Sequence, residues 1–342
     1  MKKLFIAAMA LATIVSCSKS DEPTVDSSRK SVSIKIENMT PSTRHESAPS
    51  NDTGGDLVCA SNETLNVVFT NADNNRVVTL SFEDATEVAN ADGTWNYVFH
   101  ALPESVKGFF VIGSRAAALD AASVDAAEEM WKASTQEGSA WDNVVVYGKC
   151  EDWKQDGTCD DEGYNLFVGS VKVKPYKARI EISEISCSNL GYYNTDDDDM
   201  TIGYEKVRID EIGFNGTIAT TPQTLSANNQ MDATANPKVL KVVPPTGNVW
   251  SWNVDPGAYP FYLEAYVEST FYNVVDKDRR IEANSYKEGD KSITTFESGH
   301  IYKMTVPFNE SDLDDESSRI CVDVTVEIAE WIVHHITPSF GN

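Results

Sequence analysis

The chain has 342 residues, of which 41% are hydrophobic, so it can form two ordinary domains with buried cores. Its formal net charge of -25 at pH 7 argues against nucleic-acid binding, because contacts to phosphate backbones need clustered lysine and arginine. After the N-terminal region, no run of residues is long and apolar enough to cross a membrane as a helix.

The N-terminus has the features of an export signal. Two lysines precede an apolar run over residues 4–15, and the small residue Ser16 precedes Cys17. This order is typical of a signal peptide, and the run is too short for a membrane span. The residues around Ser16 resemble a bacterial lipoprotein box, so we expect residues 1–16 to be removed and Cys17 to carry lipid. The alternative is a cysteine that follows the signal by chance.

The next patterned segment predicts one strand followed by a loop. Val32, Ile34 and Ile36 alternate with polar residues, which is the period of a strand with one buried face. A polar stretch then leads through Arg44 into small and polar residues. A cut after Arg44 would separate this strand from everything downstream. The alternative is an ordinary first strand with a surface loop after it.

Five cysteines remain after Cys17, which is an odd number. Cys150 and Cys159 lie close together in a segment whose composition predicts a loop, so in an exported protein we expect a disulfide between them. A metal site is the alternative, but the spacing is not that of paired zinc ligands and no histidine is near. The other three cannot all pair with one another, so at least one is free or buried. They are Cys59, Cys187 and Cys321.

From about residue 65 onward the sequence predicts short strands separated by turns. The segments are rich in Val, Phe, Tyr and Thr, and Asn, Asp, Gly and Pro lie between them. One helix interrupts the strands. Ser123 can cap it, and Val124, Ala127 and Trp131 fall on one face. We expect this helix to cover a sheet.

The end of the chain predicts a long strand with a break. Apolar residues hold one face over residues 322–328, the phase slips at residues 329–330, and Trp331 and Val333 hold a new face. A bend or bulge there would let one tail serve two different sheets. The alternative is a terminal strand that pairs only within its own domain.

The order of elements predicts an all-β protein with one short helix, built as two β-sandwich domains in tandem. A second block of strands begins near residue 175, after the helix and the strands that follow it. We therefore expect an N-terminal domain over residues 45–174 and a C-terminal domain over residues 175–342. Residues 17–44 would precede both as a pro-segment that contains the first strand.

No catalytic signature is present in the sequence. It has no GxSxG, no HExxH and no glycine-rich phosphate loop, so we predict no enzyme, no cofactor and no catalytic residue. Residues 152–162 resemble a calcium-binding EF-hand loop, but Lys154 occupies a ligand position and Gly163 stands where the bidentate glutamate belongs. The acidic residues 196–199 could bind calcium, and a hydrated acidic loop is the favoured alternative. We predict no metal site.

A cluster of aromatic residues offers a different kind of site. Trp250 and Trp252 lie close in sequence to Tyr259, Phe261 and other aromatic residues, and such a group could form a platform for a glycan. Alternation with Val254 explains the two tryptophans equally as the buried face of a strand. We favour packing in a core.

These features together resemble the fimbrillins, which are subunits of the type V pili of Bacteroidales. The resemblance rests on the lipoprotein box at Cys17, the first strand that ends near Arg44, the two blocks of strands and the closing strand. The local matches are VKPYKARIEIS, HIYKMTVPF and the terminal VxVTVxxxxW. They span nearly the whole mature chain, and their order carries the resemblance.

The resemblance implies transthyretin-like β-sandwich domains and an assembly mechanism. A trypsin-like, arginine-specific protease removes the first strand of a fimbrillin, and a strand from a neighbouring subunit fills the groove. On this chain the cut falls between Arg44 and His45, whereas a cut after Arg29 would leave the strand in place. The resemblance places the donor strand in the tail, with candidate residues Trp331, Val333, Ile336 and Phe340.

The implied partners are other fimbrial subunits, the protease, and the outer membrane through the lipid on the precursor, and the implied location is the cell surface. No nucleic-acid partner is expected. Two alternatives stay open. One is a non-polymerising anchor subunit of the same fimbria, which keeps its lipid and its first strand. The other is a surface lipoprotein that binds glycan through Trp250 and Trp252.

Overall fold

The computed structural model describes residues 29–41, 58–134, 144–191, 203–214, 223–225, 229–244, 249–268, 277–313, 319–330 and 332–335. Several residues singled out from the sequence lie outside these ranges. They are Cys17, Arg44, His45, the acidic residues 196–199, Trp331, Ile336 and Phe340.

The first half of the chain contributes twelve strands, one α-helix and two short 3-10 helices (Asn62–Thr64 and Phe82–Asp84) to the described structure. The strands are β1 (Arg29–Ile36), β2 (Met39–Pro41), β3 (Val58–Ser61), β4 (Leu65–Thr70), β5 (Arg76–Ser81), β6 (Thr86–Ala89), β7 (Trp95–Pro103), β8 (Gly108–Gly113), β9 (Val146–Lys149), β10 (Glu151–Cys159), β11 (Asn165–Val171) and β12 (Lys174–Pro175). The helix is α1 (Val124–Ala133).

Among the described residues, the second half contributes one short 3-10 helix, Glu310–Leu313, and twelve strands. They are β13 (Ala178–Ser188), β14 (Lys206–Phe214), β15 (Gln223–Thr224), β16 (Gln230–Asp232), β17 (Lys241–Val242), β18 (Trp250–Val254), β19 (Phe261–Glu268), β20 (Lys277–Glu288), β21 (Lys291–Ile293), β22 (His300–Asn309), β23 (Arg319–Glu330) and β24 (Ile332–His335). Within the described ranges the protein is therefore all-β with one α-helix, which confirms the predicted all-β class, while the two transthyretin-like sandwich domains stay a prediction. None of the described helices is long and apolar enough to span a membrane.

The strands form four sheets. The first sheet has the order β10-β11-β1-β7-β6 and the second has the order β12-β9-β8-β4-β5. A large sheet of eleven strands follows the path β15-β14-β19-β20-β23-β22-β13-β17, with β16, β18 and β21 paired beside it. A small sheet, β2-β24-β3, joins strands from the two ends of the chain.

Two main clusters of buried residues, here named the first core and the second core, draw on different parts of the chain. The first lies between the first and second sheets, where Phe99 of β7 meets Phe69 of β4 edge to face at 5.3 Å. Its buried members fall within residues 32–173, apart from Ile301. The buried members of the second cluster fall within residues 178–326. The predicted boundary near residue 175 lies in the gap between them, and the division into two domains stays a prediction.

The helix forms as the sequence predicted. Ser123 Oγ accepts a hydrogen bond from the N–H of Ala126 at 3.2 Å, so the side chain caps the first turn. Val124 and Ala127 are buried against the outer face of the second sheet, in a third cluster with Phe110 and other residues of that sheet. The helix therefore covers the sheet on the side that faces away from the first core.

The tail also breaks where the sequence predicted a break. β23 ends at Glu330 and lies between β20 and β22 in the large sheet. β24 begins at Ile332 and lies in the small sheet between β2 and β3. One tail therefore serves two sheets, and the alternative of a strand confined to its own domain is wrong.

The predicted disulfide between Cys150 and Cys159 is wrong, because the segment between them is a strand and not a loop. Cys159 pairs with Asn165 and Glu151 pairs with Ser170, so the two cysteines lie at opposite ends of the β10–β11 pair. Their positions are marked on β11 by Asn165 and Ser170, which are five residues apart. Five steps of about 3.3 Å span roughly 16 Å. A disulfide joins Cα atoms that are at most about 7 Å apart.

The same geometry predicts the reactivity of Cys150. Its thiol is free, and burial raises the pKa of the thiol to about 12. Because the thiolate is the reactive form, native protein at pH 8 should react slowly with iodoacetamide at this position. Protein unfolded in urea without reductant should be alkylated there completely. Peptide mapping by mass spectrometry measures both, and a Cys150 that is alkylated only after reduction would contradict the structure.

Candidate strand-exchange site

The first strand lies in the middle of its sheet. β1 pairs in parallel with β11, from Lys30 opposite Asn165 to Ile36 opposite Val171. On its other edge β1 pairs antiparallel with β7, with a register irregularity after Lys30. Both edges therefore carry ladder hydrogen bonds, and loss of β1 would leave two unpaired edges in the middle of the first sheet.

The apolar face of β1 lies in the first core, as the alternation predicted. Val32 and Ile34 are 0% exposed and Ile36 is 2% exposed. They share the cluster with Phe99 and Tyr97 of β7. The opposite face carries Ser33 and Lys35, which are half-buried. The strand therefore contributes three fully packed side chains to the core between the first and second sheets.

The start of β1 carries a buried lysine that the sequence pattern did not single out. The Lys30 ammonium donates to the carbonyl of Val106 at 2.9 Å and lies 3.4 Å from the Glu104 carboxylate. It also lies 4.3 Å from the centre of the Phe167 ring. Burial lowers the pKa of Lys30, and the nearby Glu104 opposes that change. A long polar side chain on the same face as Val32 and Ile34 thus fixes the start of the strand.

A second polar contact joins β1 to the turn between β10 and β11. The Ser31 hydroxyl donates to the carboxylate of Asp160, and His100 Nδ1 lies 2.7 Å from the same carboxylate oxygen. Burial on its own raises the pKa of Asp160, but the hydrogen bonds from Ser31 and His100 outweigh that effect and lower the pKa. Asp160 therefore remains ionised at neutral pH and holds β1 in its register.

Just after β1, the side chain of Asn38 makes the two hydrogen bonds that a paired backbone residue would make. Asn38 Nδ2 donates to the carbonyl of Val173 at 2.6 Å, and Asn38 Oδ1 accepts from the N–H of Val173 at 3.1 Å. The hydroxyl of Tyr97 lies 3.2 Å from the sulfur of Met39, which is 6% exposed. The chain therefore remains attached to the first core from Lys30 through Met39.

The tail meets this N-terminal segment in the small sheet. β24 pairs in parallel with β2, with Val333 opposite Met39. On its other edge β24 pairs in parallel with β3, with Val333 opposite Ala60. Of the four predicted donor residues, Val333 alone lies in the described ranges, and it is at the centre of this sheet. The sequence indicated a second sheet for the tail but carried no signal for these partners.

The predicted cut site lies between two described strands. Arg44 is three residues beyond Pro41, where β2 ends, and the next described strand begins at Val58. Both β1 and β2 therefore precede the proposed cut, and β3 follows it. Arg29, by contrast, is the first residue of β1 and is exposed, so a cut there would leave the whole of the buried strand in place.

The aromatic platform proposed for a glycan does not exist in this structure. Trp250 and Trp252 are 7% and 5% exposed and belong to the second core. Trp252 meets Phe214 edge to face at 5.2 Å. Arg280 covers the ring of the nearby Tyr262 at 3.9 Å from its centre. A glycan platform needs accessible ring faces, so glycan binding through the two tryptophans is wrong and packing in a core is confirmed.

Among the described residues no group of three or more His, Cys, Asp or Glu side chains is placed to hold a metal ion. The segment that resembled an EF-hand loop lies in β10, which is paired with β11 with two register irregularities, and in the turn after it. A segment paired in a sheet does not form the helix-flanked loop that wraps several oxygens around one ion.

Comparison with solved structures finds similarity to fimbrial and cell-adhesion proteins of Bacteroidales. A candidate cell adhesion protein from Bacteroides eggerthii is 13% identical to this chain and has a TM-score of 0.43. The alignment covers 92% of this chain and 99% of that protein's chain. A fimbrial assembly protein from Parabacteroides distasonis is 12% identical, with coverages of 87% and 98% and a TM-score of 0.36. The fimbrial anchor protein from Porphyromonas gingivalis is 9% identical, with coverages of 90% and 99% and a TM-score of 0.28.

No family model matches the chain, and no curated protein matches it either. The names of the similar structures agree with the resemblance to fimbrillins that the sequence motifs indicate. Neither the identities nor the TM-scores of these structures assign a function to this chain.

The burial of β1 predicts how the uncut protein responds to charge on its two faces. Ile34→Asp should lower the free energy of unfolding by about 4 kcal/mol or more, because it places an unpaired charge in the core. Ser33→Asp adds the same charge on the opposite, half-buried face, and should change that energy by less than about 1 kcal/mol. Urea unfolding of both variants and of the unaltered chain measures the difference, and equal effects would show that β1 does not bury this face.

Proposed function

We propose that this chain is a structural subunit, stalk or tip, of a cell-surface fimbria. It is exported as a lipoprotein through Cys17, cut between Arg44 and His45, and joined to neighbouring subunits by strand exchange. The observation that carries the proposal is the place of β1, a strand in the middle of a sheet whose apolar face is fully buried. β1 lies just ahead of an arginine that separates it in sequence from the rest of the first core.

The energy of the β1 contacts supports this proposal. Burial of a large aliphatic side chain contributes roughly 1.5–3 kcal/mol, so Val32, Ile34 and Ile36 together contribute on the order of 5–9 kcal/mol. A domain is stable by only about 5–15 kcal/mol in total. Loss of β1 without a replacement would therefore bring the first core close to unfolding. Cleavage would convert a stable precursor into a subunit that needs a strand from another molecule.

The two edges beside β1 define what the replacement must be. It is a β-strand that pairs with β7 on one side and β11 on the other, because such a strand restores the ladder hydrogen bonds on both. It must also present apolar side chains at alternate positions, as Val32, Ile34 and Ile36 do. We propose that the donor is the tail of a neighbouring copy, around Trp331 to Phe340.

The partners follow from this mechanism. They are other fimbrial subunits, a trypsin-like protease that cuts after arginine, and the outer membrane while the precursor carries its lipid. The proposed function involves no catalysis by this chain. An anchor subunit of the same fimbria would keep β1 and its lipid, so the N-terminus of mature surface protein distinguishes the two.

Cleavage after Arg44 should start polymerisation. Limited trypsin treatment of the purified precursor should yield His45 as the new N-terminus, and size-exclusion chromatography should then show oligomers. Arg44→Ala should leave a folded monomer after the same treatment, because β1 still fills its place. Arg29→Ala is the matched control and should polymerise like the unaltered chain. Cut protein with a verified His45 terminus that stays monomeric would refute strand exchange through this groove.

Cys17 should carry the lipid of the precursor. Cells that express the unaltered chain should incorporate labelled palmitate into it, and Cys17→Ser should abolish the label because the modified sulfur is gone. Cys150→Ser is the matched control and should keep the label. Palmitate that persists in Cys17→Ser would show that the lipoprotein box has been misread.

A further inference from the structure

We propose that β2 holds the tail strand β24 in the uncut chain, and that its loss bares one edge of β24 for pairing with β-strands of a second copy of this chain. This inference rests on the proposed function, since it concerns the same cut. The cut would then expose two surfaces. One is the place vacated by β1, and the other is the edge of β24, which belongs to the tail that fills this place in a neighbouring copy.

The first step is that β24 is paired on both edges. Thr40 lies opposite His334 on the β2 side, and Ser61 lies opposite His334 on the β3 side. The two ladders are short, because β2 has three residues and β3 has four. A strand of four residues that loses one of two such ladders keeps only a single short parallel pairing, which is the weaker kind.

The second step is that β2 belongs to the same segment as β1. β1 ends at Ile36 and β2 begins at Met39, and the turn between them is fixed by Asn38, which bonds to both backbone groups of Val173. Met39 is buried in the first core with Tyr97. Whatever removes β1 therefore removes β2 as well, because both precede Arg44.

The third step is that the bare edge suits the place that β1 leaves. Both ladders of β24 are parallel, and the pairing of β1 with β11 is parallel too. The cut would thus leave each copy with open edges at β7 and β11 and a tail with one open edge at β24, whose short pairing with β3 must also open before the strand fills the place of β1. An edge of unpaired N–H and C=O groups is a template for another strand, and each copy of the chain would present one vacated place and one tail.

One substitution can weaken the pairing of β2 with β24 while leaving β1 unchanged. Pro41 already lacks an N–H, so Thr40→Pro leaves β2 with a single backbone donor, that of Met39. Thr40→Ala is the matched control, because it shortens the same side chain and keeps the N–H. Neither change touches the residues that fill the groove.

Hydrogen exchange on the full uncut chain tests the inference without cleavage or polymerisation. In Thr40→Pro the amides of Ile332–His335 should exchange roughly five- to tenfold faster than in Thr40→Ala, as expected for loss of backbone hydrogen bonds. The amides of β7 and β11 should keep their rates, which also shows that the variant has folded. Equal exchange of Ile332–His335 in the two variants would overturn the inference.

A cross-link gives a second measurement that does not depend on the proline variant. Thr40→Cys together with His334→Cys places two thiols at paired positions. After oxidation and trypsin treatment, the N-terminal fragment should remain bonded to the tail, and the protein should stay monomeric until a reductant releases it. Oxidised and reduced protein that polymerise equally fast would overturn the inference. If unaltered cut protein does not polymerise either, the proposed function fails, while the exchange rates still decide whether β2 holds the tail.

Discussion

The pairing of β1 along both of its edges is the constraint on which the first half of the molecule depends. β1 separates β7 from β11, so the first sheet is continuous only while this strand is in place. The same strand puts Val32, Ile34 and Ile36 into the core between the two sheets. Backbone pairing and side-chain burial thus depend on one short segment near the N-terminus. A strand at the edge of a sheet would not have this effect, because its loss would expose only one new edge.

Polar contacts give β1 a defined register in addition to its apolar face. Lys30, Ser31 and Asn38 each bond to a group outside the strand's own ladder, at its two ends. Apolar side chains alone tolerate a shift of two residues along a strand, because the buried face is then unchanged. Buried polar side chains do not tolerate it, since a shift would leave them without partners. A strand from a neighbour that lacked these groups would restore the packing without restoring the same register contacts.

The small sheet connects the two ends of the chain to each other. β2 follows the first of the described strands and β24 follows the last long one among them, yet they are neighbours. If subunits exchange strands as proposed, β2 belongs to the segment removed by the cut and β24 belongs to the proposed donor, and the two are paired in the uncut chain. It also explains why the tail changes its face near residues 329–330, since β23 and β24 belong to different sheets.

Local patterns in the sequence determined the elements themselves: the alternation of Val32, Ile34 and Ile36, the helix that Ser123 caps, and the break in the tail. Each depends on residues a few positions apart, where side-chain period and capping act directly. The tertiary structure decided which strands are neighbours, because a strand's pattern fixes its buried face and leaves its partner open. For that reason the central place of β1, the pairing of β24 with β2 and the partners of the Lys30 ammonium were not predictable from sequence. The disulfide expected between Cys150 and Cys159 was wrong for a related reason. The two residues are close in sequence, but the strand between them places them at opposite ends of the β10–β11 pair.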